Sequence, residues 1–204
     1  MAKVCILDYG SGNTKSVYNL FASITSNVVI SNATLDINDA SHIVLPGVGS
    51  FGSSMTKIIE TIHMDTLCEN LFKKGKPFLG ICVGMQVLAD LGYEFEENSG
   101  LGWVNGVVQK LDCGNRPLPH VGWNSIHKNK ESALFERIED GSDFYFVHSY
   151  AMKPVDTTCI TSVTDYGGYF CSSLQKDNLY GVQFHPEKSH VAGKRLIENF
   201  INLK

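Results

Sequence analysis

No stretch of the 204 residues is strongly basic: 17 lysines and arginines stand against 21 acidic residues, for a formal net charge of -4 spread along the chain. This argues against a nucleic-acid groove or an anionic membrane surface as the main partner, because both need clustered cations. Long hydrophobic runs are missing too. Nothing approaches the roughly 20 apolar residues that cross a bilayer. The first run, Val4 to Leu7, is cut by Asp8 before a secretory core could form. Paired cysteines are also absent. Cys5, Cys68, Cys82, Cys113, Cys159 and Cys171 lie far apart with no C-x-x-C. That spacing disfavours a disulfide framework or a zinc knuckle and predicts free thiols in a cytoplasmic protein. With no linker, repeat or low-complexity segment, residues 1–204 read as one domain. A chain of this length buries roughly 70% of its unfolded surface, so its core needs no staple.

Short apolar runs are abundant, and their spacing changes part-way along the chain. Lys3 to Leu7, Asn27 to Ser31, Ile43 to Leu45 and Lys76 to Ile81 read as strands. Val17, Leu20, Phe21 and Ile24 recur at helical spacing from about Asn13, and a further helix is expected through Met85, Leu88 and Ala89. Near-continuous apolar strands alternating with helices predict a parallel sheet covered on both faces. After about Gly100 the pattern turns β-rich and partly antiparallel, with runs at Trp103–Leu111, Val121–His127, Phe144–His148, Thr158–Val163, Gly168–Leu174 and Leu179–Phe184. A closing amphipathic helix from about Val191 carries Leu196, Ile197, Phe200 and Ile201 on one side.

Two glycine-rich loops suggest phosphate binding and lack its context. Gly47-Val48-Gly49-Ser50-Phe51-Gly52 has the G-x-G-x-x-G spacing, but it follows the third strand, and Phe72-Lys73-Lys74 stands where a ribose-binding acid belongs. Gly12-Asn13-Thr14-Lys15-Ser16 resembles a phosphate loop with threonine in place of the glycine before its lysine. Gly80-Ile81-Cys82-Val83-Gly84 carries more. It is a strand-to-helix junction of the form G-x-nucleophile-x-G, with cysteine where hydrolases place serine. Small neighbours let the chain turn sharply and expose the thiol, and the helix N-terminus offers an oxyanion donor at the Val83 amide. A cysteine nucleophile needs a base distant in sequence, and His185 ends a strand in Phe184-His185-Pro186-Glu187, with Glu187 placed to fix its tautomer. Zinc is the rival use of thiol and imidazole, yet His42, His63, His120, His127, His148 and His190 show no ligand spacing, so no metal is expected.

Together, Phe78-Leu79-Gly80-Ile81-Cys82-Val83-Gly84-Met85-Gln86, Leu45-Pro46-Gly47-Val48-Gly49 and Gly181-Val182-Gln183-Phe184-His185-Pro186-Glu187-Lys188-Ser189 resemble the class I (triad) glutamine amidotransferases. Within that family, three further stretches are similar to the glutaminase subunits of imidazole glycerol phosphate synthases. They are Asp8-Tyr9-Gly10-Ser11-Gly12-Asn13, Pro119-His120-Val121-Gly122-Trp123-Asn124 and Tyr145-Phe146-Val147-His148-Ser149-Tyr150. The resemblance implies a Cys82-His185-Glu187 triad that hydrolyses glutamine through a glutamyl thioester, with no cofactor. It implies oxyanion donors at Val48, Gly49 and Val83, and substrate contacts at Gly49, Gln86, Glu94, Ser149 and Tyr150. The fold expected is α/β: a flavodoxin-like doubly wound central sheet, mostly parallel, with an additional antiparallel β-rich portion in the C-terminal half. The sequence departs from common members at Thr14-Lys15, at Val83 and at Gly92-Tyr93, where the family often has Leu-Arg, Leu and Ser-Glu.

The same resemblance implies a partner. Ammonia would pass to a (βα)8-barrel cyclase subunit in a heterodimer, with Asn13, Trp123 and Lys188 facing it. Glycines at 47 and 49 would allow the oxyanion loop to flip when the partner's ligand binds. Two alternatives stay open on sequence alone: a glutaminase feeding a surface-sugar synthase, and an inactive binding scaffold on the same fold.

Overall fold

The computed structural model describes residues 2–10 and 12–204; Ser11, inside the Asp8 to Asn13 motif, lies outside the described residues. In chain order the elements of the first half are β1 (Val4–Leu7), α1 (Thr14–Ala22), β2 (Val28–Ser31), α2 (Thr34–Asp39), β3 (His42–Leu45), α3 (Phe51–Thr61), α4 (Met64–Cys68), β4 (Phe78–Ile81), α5 (Val83–Gln86), β5 (Leu91–Gly92), β6 (Asn98–Ser99) and β7 (Gly106–Lys110). The second half adds β8 (His120–Ser125), β9 (His127–Lys128), β10 (Asp143–His148), β11 (Tyr150–Pro154), β12 (Ile160–Asp165), β13 (Tyr169–Lys176), β14 (Leu179–Val182) and α6 (His190–Ile201).

Eight strands form the main sheet in the order β2-β1-β3-β4-β14-β13-β12-β9. The first five are parallel, and their order is that of flavodoxin-like folds. Burial explains their composition: every residue of β1, β3, β4 and β14 is buried, which is why VCIL, HIVL, FLGI and LYGV carry no charged side chain. β2, at the edge, is only half-buried. From β14 onward the sheet continues antiparallel through β13, β12 and β9. A four-stranded sheet (β11-β7-β5-β6) and the antiparallel ribbon β8-β10 supply the rest of the β-rich half. α1 and α6 meet through Phe21 and Phe200, edge to face at 6.3 Å. Burying each of these rings stabilises by about 1.5–3 kcal/mol.

Three expectations change in detail. The helix after β4 is a single turn: α5 stops at Gln86, and Leu88 and Ala89 follow in tight turns whose amides reach back three residues. The Trp103 run begins its strand only at Gly106, because Trp103 is taken up packing edge-on against Phe72 and Phe78. The Phe144–His148 run is followed by another strand, β11, with only Ser149 between them.

The parallel core decides where chemistry can occur. The carboxyl ends of β1, β3, β4 and β14 lie on one edge of the sheet, so the segments after Leu7, Leu45, Ile81 and Val182 converge there.

Candidate active site

Cys82 sits directly after β4 with φ 54° and ψ -112°, a left-handed backbone that costs a non-glycine residue about 1–3 kcal/mol. The surroundings hold it there. Its amide donates to the Val182 carbonyl at 2.8 Å, and its own carbonyl accepts from Met85 and Gln86. Both flanking glycines are obligatory for a reason of space. A Cβ on Gly80 would lie 2.5 Å from the Gly84 carbonyl oxygen, and one on Gly84 would lie 1.9 Å from that of Leu45. Val83, as the first residue of α5, has an amide with no partner inside the helix, which suits it to receive a developing oxyanion. Because α5 is only four residues long, this single donor rather than a helix dipole would meet the oxyanion.

His185 follows β14, its amide bonded to the Tyr145 carbonyl at 2.8 Å. Ser189 pins the turn by donating to the His185 carbonyl at 2.6 Å while its hydroxyl accepts from the Tyr145 amide at 3.0 Å. His185 Nδ1 donates to Glu187 Oε1 at 2.7 Å, and both side chains are 1% exposed. Burial alone would make the imidazole harder to protonate. The negative charge and contact of Cys82, and then the Glu187 hydrogen bond, outweigh it and push the pKa up to about 10. For Glu187, too, burial opposes the charged form, and its bonds to His185 and Asn13 win, holding its carboxyl below the usual range. His185 Nε2 is buried and makes no hydrogen bond. It is coupled to Cys82 by charge, while Cys82 Sγ accepts from Gln183 Nε2 at 3.6 Å.

Cys82 and His185 open onto a cavity of about 240 Å³. That is below the roughly 300–1,000 Å³ of pockets for drug-sized ligands, and fits a free amino acid. Val48, Gly49, Gln86, Glu94, Ser149 and Tyr150 all contribute to its lining.

A family model described as "Glutamine amidotransferase class-I" matches residues 5–203. The chain belongs to the class-I glutamine amidotransferase family. It is 46% identical over 207 residues to the imidazole glycerol phosphate synthase subunit HisH of Pelagibacter ubique (98% of this chain, 99% of that one). To the subunit of the same name from Aquifex aeolicus it is 43% identical (97% and 95%). Two solved structures share the fold: PurLQS from Thermotoga maritima (TM-score 0.74, 18% identity, 99% of each chain) and the glutaminase domain of Trypanosoma brucei CTPS with bound acivicin (TM-score 0.68, 15% identity, 100% and 95%).

The remaining candidate residues divide into cavity, loop and surface. In this amidotransferase the two glycines of the loop after β3 have separate tasks. Gly47 fits against the Gly84 backbone and the Tyr9 hydroxyl, where a Cβ would lie under 3 Å from either, whereas Gly49 has open space around it and needs glycine for its φ of +110°. Tyr9 ties this loop to the one after β1 by donating to the Pro46 carbonyl at 2.8 Å. The amide nitrogen of Gln86 is engaged by the protein, donating to the Tyr150 carbonyl at 2.8 Å and to Gln183 Oε1 at 3.0 Å. Glu94 accepts the Phe51 amide at 2.8 Å, so a carboxylate occupies the start of α3 where a dinucleotide loop would seat phosphate. The departure at Gly92 follows from the same corner, since a Cβ there would lie 2.5 Å from the Phe51 ring.

The three residues expected at the partner face are not alike. Trp123 is 47% exposed and stacks on His190 at 5.1 Å, and Lys188 is exposed with its ammonium 5.3 Å from the Tyr145 ring. Asn13 is instead 9% exposed, and its amide donates to Glu187 Oε1 at 3.0 Å. Its side chain faces Glu187 rather than solvent. Four residues close to the site are not among the expected catalytic, oxyanion or substrate residues: Gln183, Ser189, Val147 and His148. Gln183 and Ser189 lie inside the Gly181–Ser189 motif, and Val147 and His148 directly precede Ser149, so proximity to those motifs was the signal available. Among the described residues, no group of three or more His, Cys, Asp or Glu side chains is placed to hold a metal, and no helix is long and apolar enough to cross a membrane.

Proposed function

We propose that this chain is the glutaminase subunit of an imidazole glycerol phosphate synthase, releasing ammonia from glutamine for a (βα)8-barrel cyclase bound to it. One observation carries the chemistry: a cysteine at a strained strand-to-helix turn, coupled to a buried histidine whose far nitrogen is held by a buried glutamate, at the mouth of an amino-acid-sized cavity. The acceptor pathway rests on the relatives, which are 40–46% identical over nearly the whole chain. The whole chain acts as one domain, and six free thiols among the described cysteines suit the cytoplasm.

In the first half-reaction Cys82 Sγ attacks the side-chain amide carbon of glutamine. The carbonyl oxygen becomes an oxyanion facing the Val83 amide and the Val48–Gly49 loop, where each donor is worth about 2.7–4 kcal/mol. As the carbon–nitrogen bond breaks, His185 gives its proton to the departing nitrogen, which leaves as ammonia from a glutamyl thioester. Water then attacks the thioester carbon and loses a proton to His185, glutamate departs, and the thiolate is restored. Glu187 keeps the imidazole ring oriented throughout, as imidazolium and as neutral base, with Asn13 fixing the carboxylate. Glu94, Ser149 and Tyr150 line the part of the cavity that would hold the α-amino and carboxylate groups of glutamine.

The half-exposed Trp123, the Lys188–Tyr145 pair and His190 form a patch beside the triad turn, suited to a partner whose ligand state reaches the site. The test is glutamate release by the purified chain, alone and with the cyclase and its ligand, beside Cys82→Ala. A rise of orders of magnitude that requires the cyclase and Cys82 is the expected result. Activity indifferent to the cyclase would remove the assigned pathway, and none in any combination would remove the glutaminase.

A further inference from the structure

Beside Ser149 and Tyr150 lie two histidines that the reaction above does not use. His120 of β8 and His148 of β10 are cross-strand partners, 3% and 6% exposed. His120 Nδ1 and His148 Nε2 are 3.0 Å apart. The other nitrogen of His148, Nδ1, lies 2.9 Å from the Tyr150 carbonyl, and His120 Nε2 lies 3.3 Å from Asn124 Nδ2. Phe146 and Tyr166 stack on the His120 ring with centroids at 4.9 and 4.0 Å, and Phe170 packs on His148 at 4.9 Å.

Geometry leaves one arrangement of protons. The Tyr150 carbonyl can only accept, so His148 carries its hydrogen on Nδ1 and presents a lone pair at Nε2. His120 therefore carries its hydrogen on Nδ1, and its Nε2 accepts from Asn124. The far end is fixed independently, because Asn124 Oδ1 accepts the Ser125 amide at 2.9 Å and Asn124 Nδ2 also donates to the Asp165 carbonyl at 3.0 Å. Both ends of the relay are thus anchored to backbone. Burial is the main reason each ring stays neutral; Arg116 beside His120, and His120 and His185 beside His148, add to it, and together they outweigh the hydrogen bond to the Tyr150 carbonyl that favours the charged form of His148.

The relay ends where the substrate site begins. The Tyr150 carbonyl accepts both His148 Nδ1 and Gln86 Nε2; Gln86 in turn donates to Gln183, which donates to Cys82 Sγ. His148 itself borders the cavity, separated from Tyr150 only by Ser149. A purely apolar filling of this space would need no hydrogen bonds. A buried polar chain persists only when every member is satisfied, and this one is satisfied by delivering a donor to the carbonyl that also orients Gln86.

We infer that His120 and His148 are positioning residues for glutamine binding: two neutral imidazoles in series that hold the Tyr150 carbonyl, and through it the Gln86 side and the Ser149 turn, in register with Cys82. This rests on the glutaminase reading and adds to it a support that reaches from β8, which carries the exposed Trp123, to the substrate cavity.

Two experiments test it. In the wild-type chain, long-range 15N–1H correlations of the histidine rings should show both His120 and His148 neutral and protonated on Nδ1 at pH 6–8. Either ring protonated on Nε2 would overturn the relay. In the complex with the cyclase, His148→Leu should raise KM for glutamine about tenfold or more, for loss of a buried donor, with a smaller change in kcat. His148→Asn, which keeps a donor at the Nδ1 position, should recover most of that loss. An unchanged KM in the leucine variant, or an asparagine variant no better than leucine, would refute the role. If His148→Leu does not fold, His120→Gln takes its place with the same expected rise in KM. Failure of the wild-type complex to release glutamate at all would instead remove the glutaminase reading, and the ring spectra would still decide the relay.

Discussion

The sharpest test of the nucleophile turn is Gly84→Ala, a change of one methyl group away from any reacting atom. A Cβ at position 84 would stand 1.9 Å from the Leu45 carbonyl oxygen, where real Cβ contacts essentially never fall below 3.0 Å. The neighbour is backbone of a fully buried strand and cannot swing aside as a side chain could. Opening the contact therefore means moving α5 away from β3 by about 1 Å, with Cys82 and Val83 attached to it; overpacking of this kind costs about 1–3 kcal/mol. The effect on activity is larger. A displacement of about 1 Å between nucleophile, oxyanion donor and base is worth on the order of 100-fold in rate. Urea unfolding of the isolated chain gives the first quantity, and glutamate release by the cyclase complex gives the second. If the alanine variant kept its unfolding midpoint and turned over within threefold of wild type, the account of why glycine is required there would be wrong.

Glu187→Gln replaces the charge that holds His185 Nδ1, so kcat should fall by about two to four orders of magnitude and the pH optimum should move to lower pH as the histidine loses a support for its proton; steady-state rates across pH 6–10 check both. Asn13→Ala removes one of two donors on Glu187 Oε1, and loss of a hydrogen bond to a charged group is worth about 1.5–3 kcal/mol; kcat should fall accordingly while KM for glutamine is nearly unchanged. Stability should narrow from both sides of neutrality. His148, pushed down to about 3 by burial with His120 and His185 opposing its charge, contributes stability that is complete above pH 6.5 and lost as pH falls toward 3. His185, raised to about 10, contributes stability complete below pH 6.5 and lost as pH rises through 10. Urea midpoints from pH 4 to 10 should trace a dome, and His148→Asn should flatten its acid limb.

Much of this was legible in the sequence because parallel strands bury both faces and write themselves as near-continuous apolar runs: VCIL, HIVL and FLGI are visible as such, whereas LYGV, equally buried and parallel to β4, stands among the later runs whose setting reads as partly antiparallel. Cys82 was legible for a related reason, since only glycines at 80 and 84 permit the close approach of the turn to β3. What escaped depends on pairing across the chain. Asn13 sits 174 positions from Glu187, and no local pattern says that its amide turns inward. The two-residue strands β5 and β6 are too short to show an alternation. The His120–His148 pair exists only because β8 and β10 pair in a register that sets them opposite one another. The shortness of α5 was hidden because Val83 to Ala89 has helical composition, while its later amides reach back three residues.

β14, near the end of the chain, is inserted between β4 and β13 in the interior of the main sheet. A ribosome-bound chain that has reached residue 178 has already made the elbow bearing Cys82. It nevertheless lacks the strand that accepts the Cys82 amide and the turn that carries His185 and Glu187. Its β4 edge stays open, a surface on which other chains can pair. Sealing that edge and assembling the catalytic groups are one event. The nascent protein therefore cannot consume glutamine before its sheet is closed, and C-terminal truncations that remove β14 should emerge as aggregates rather than as slow enzymes.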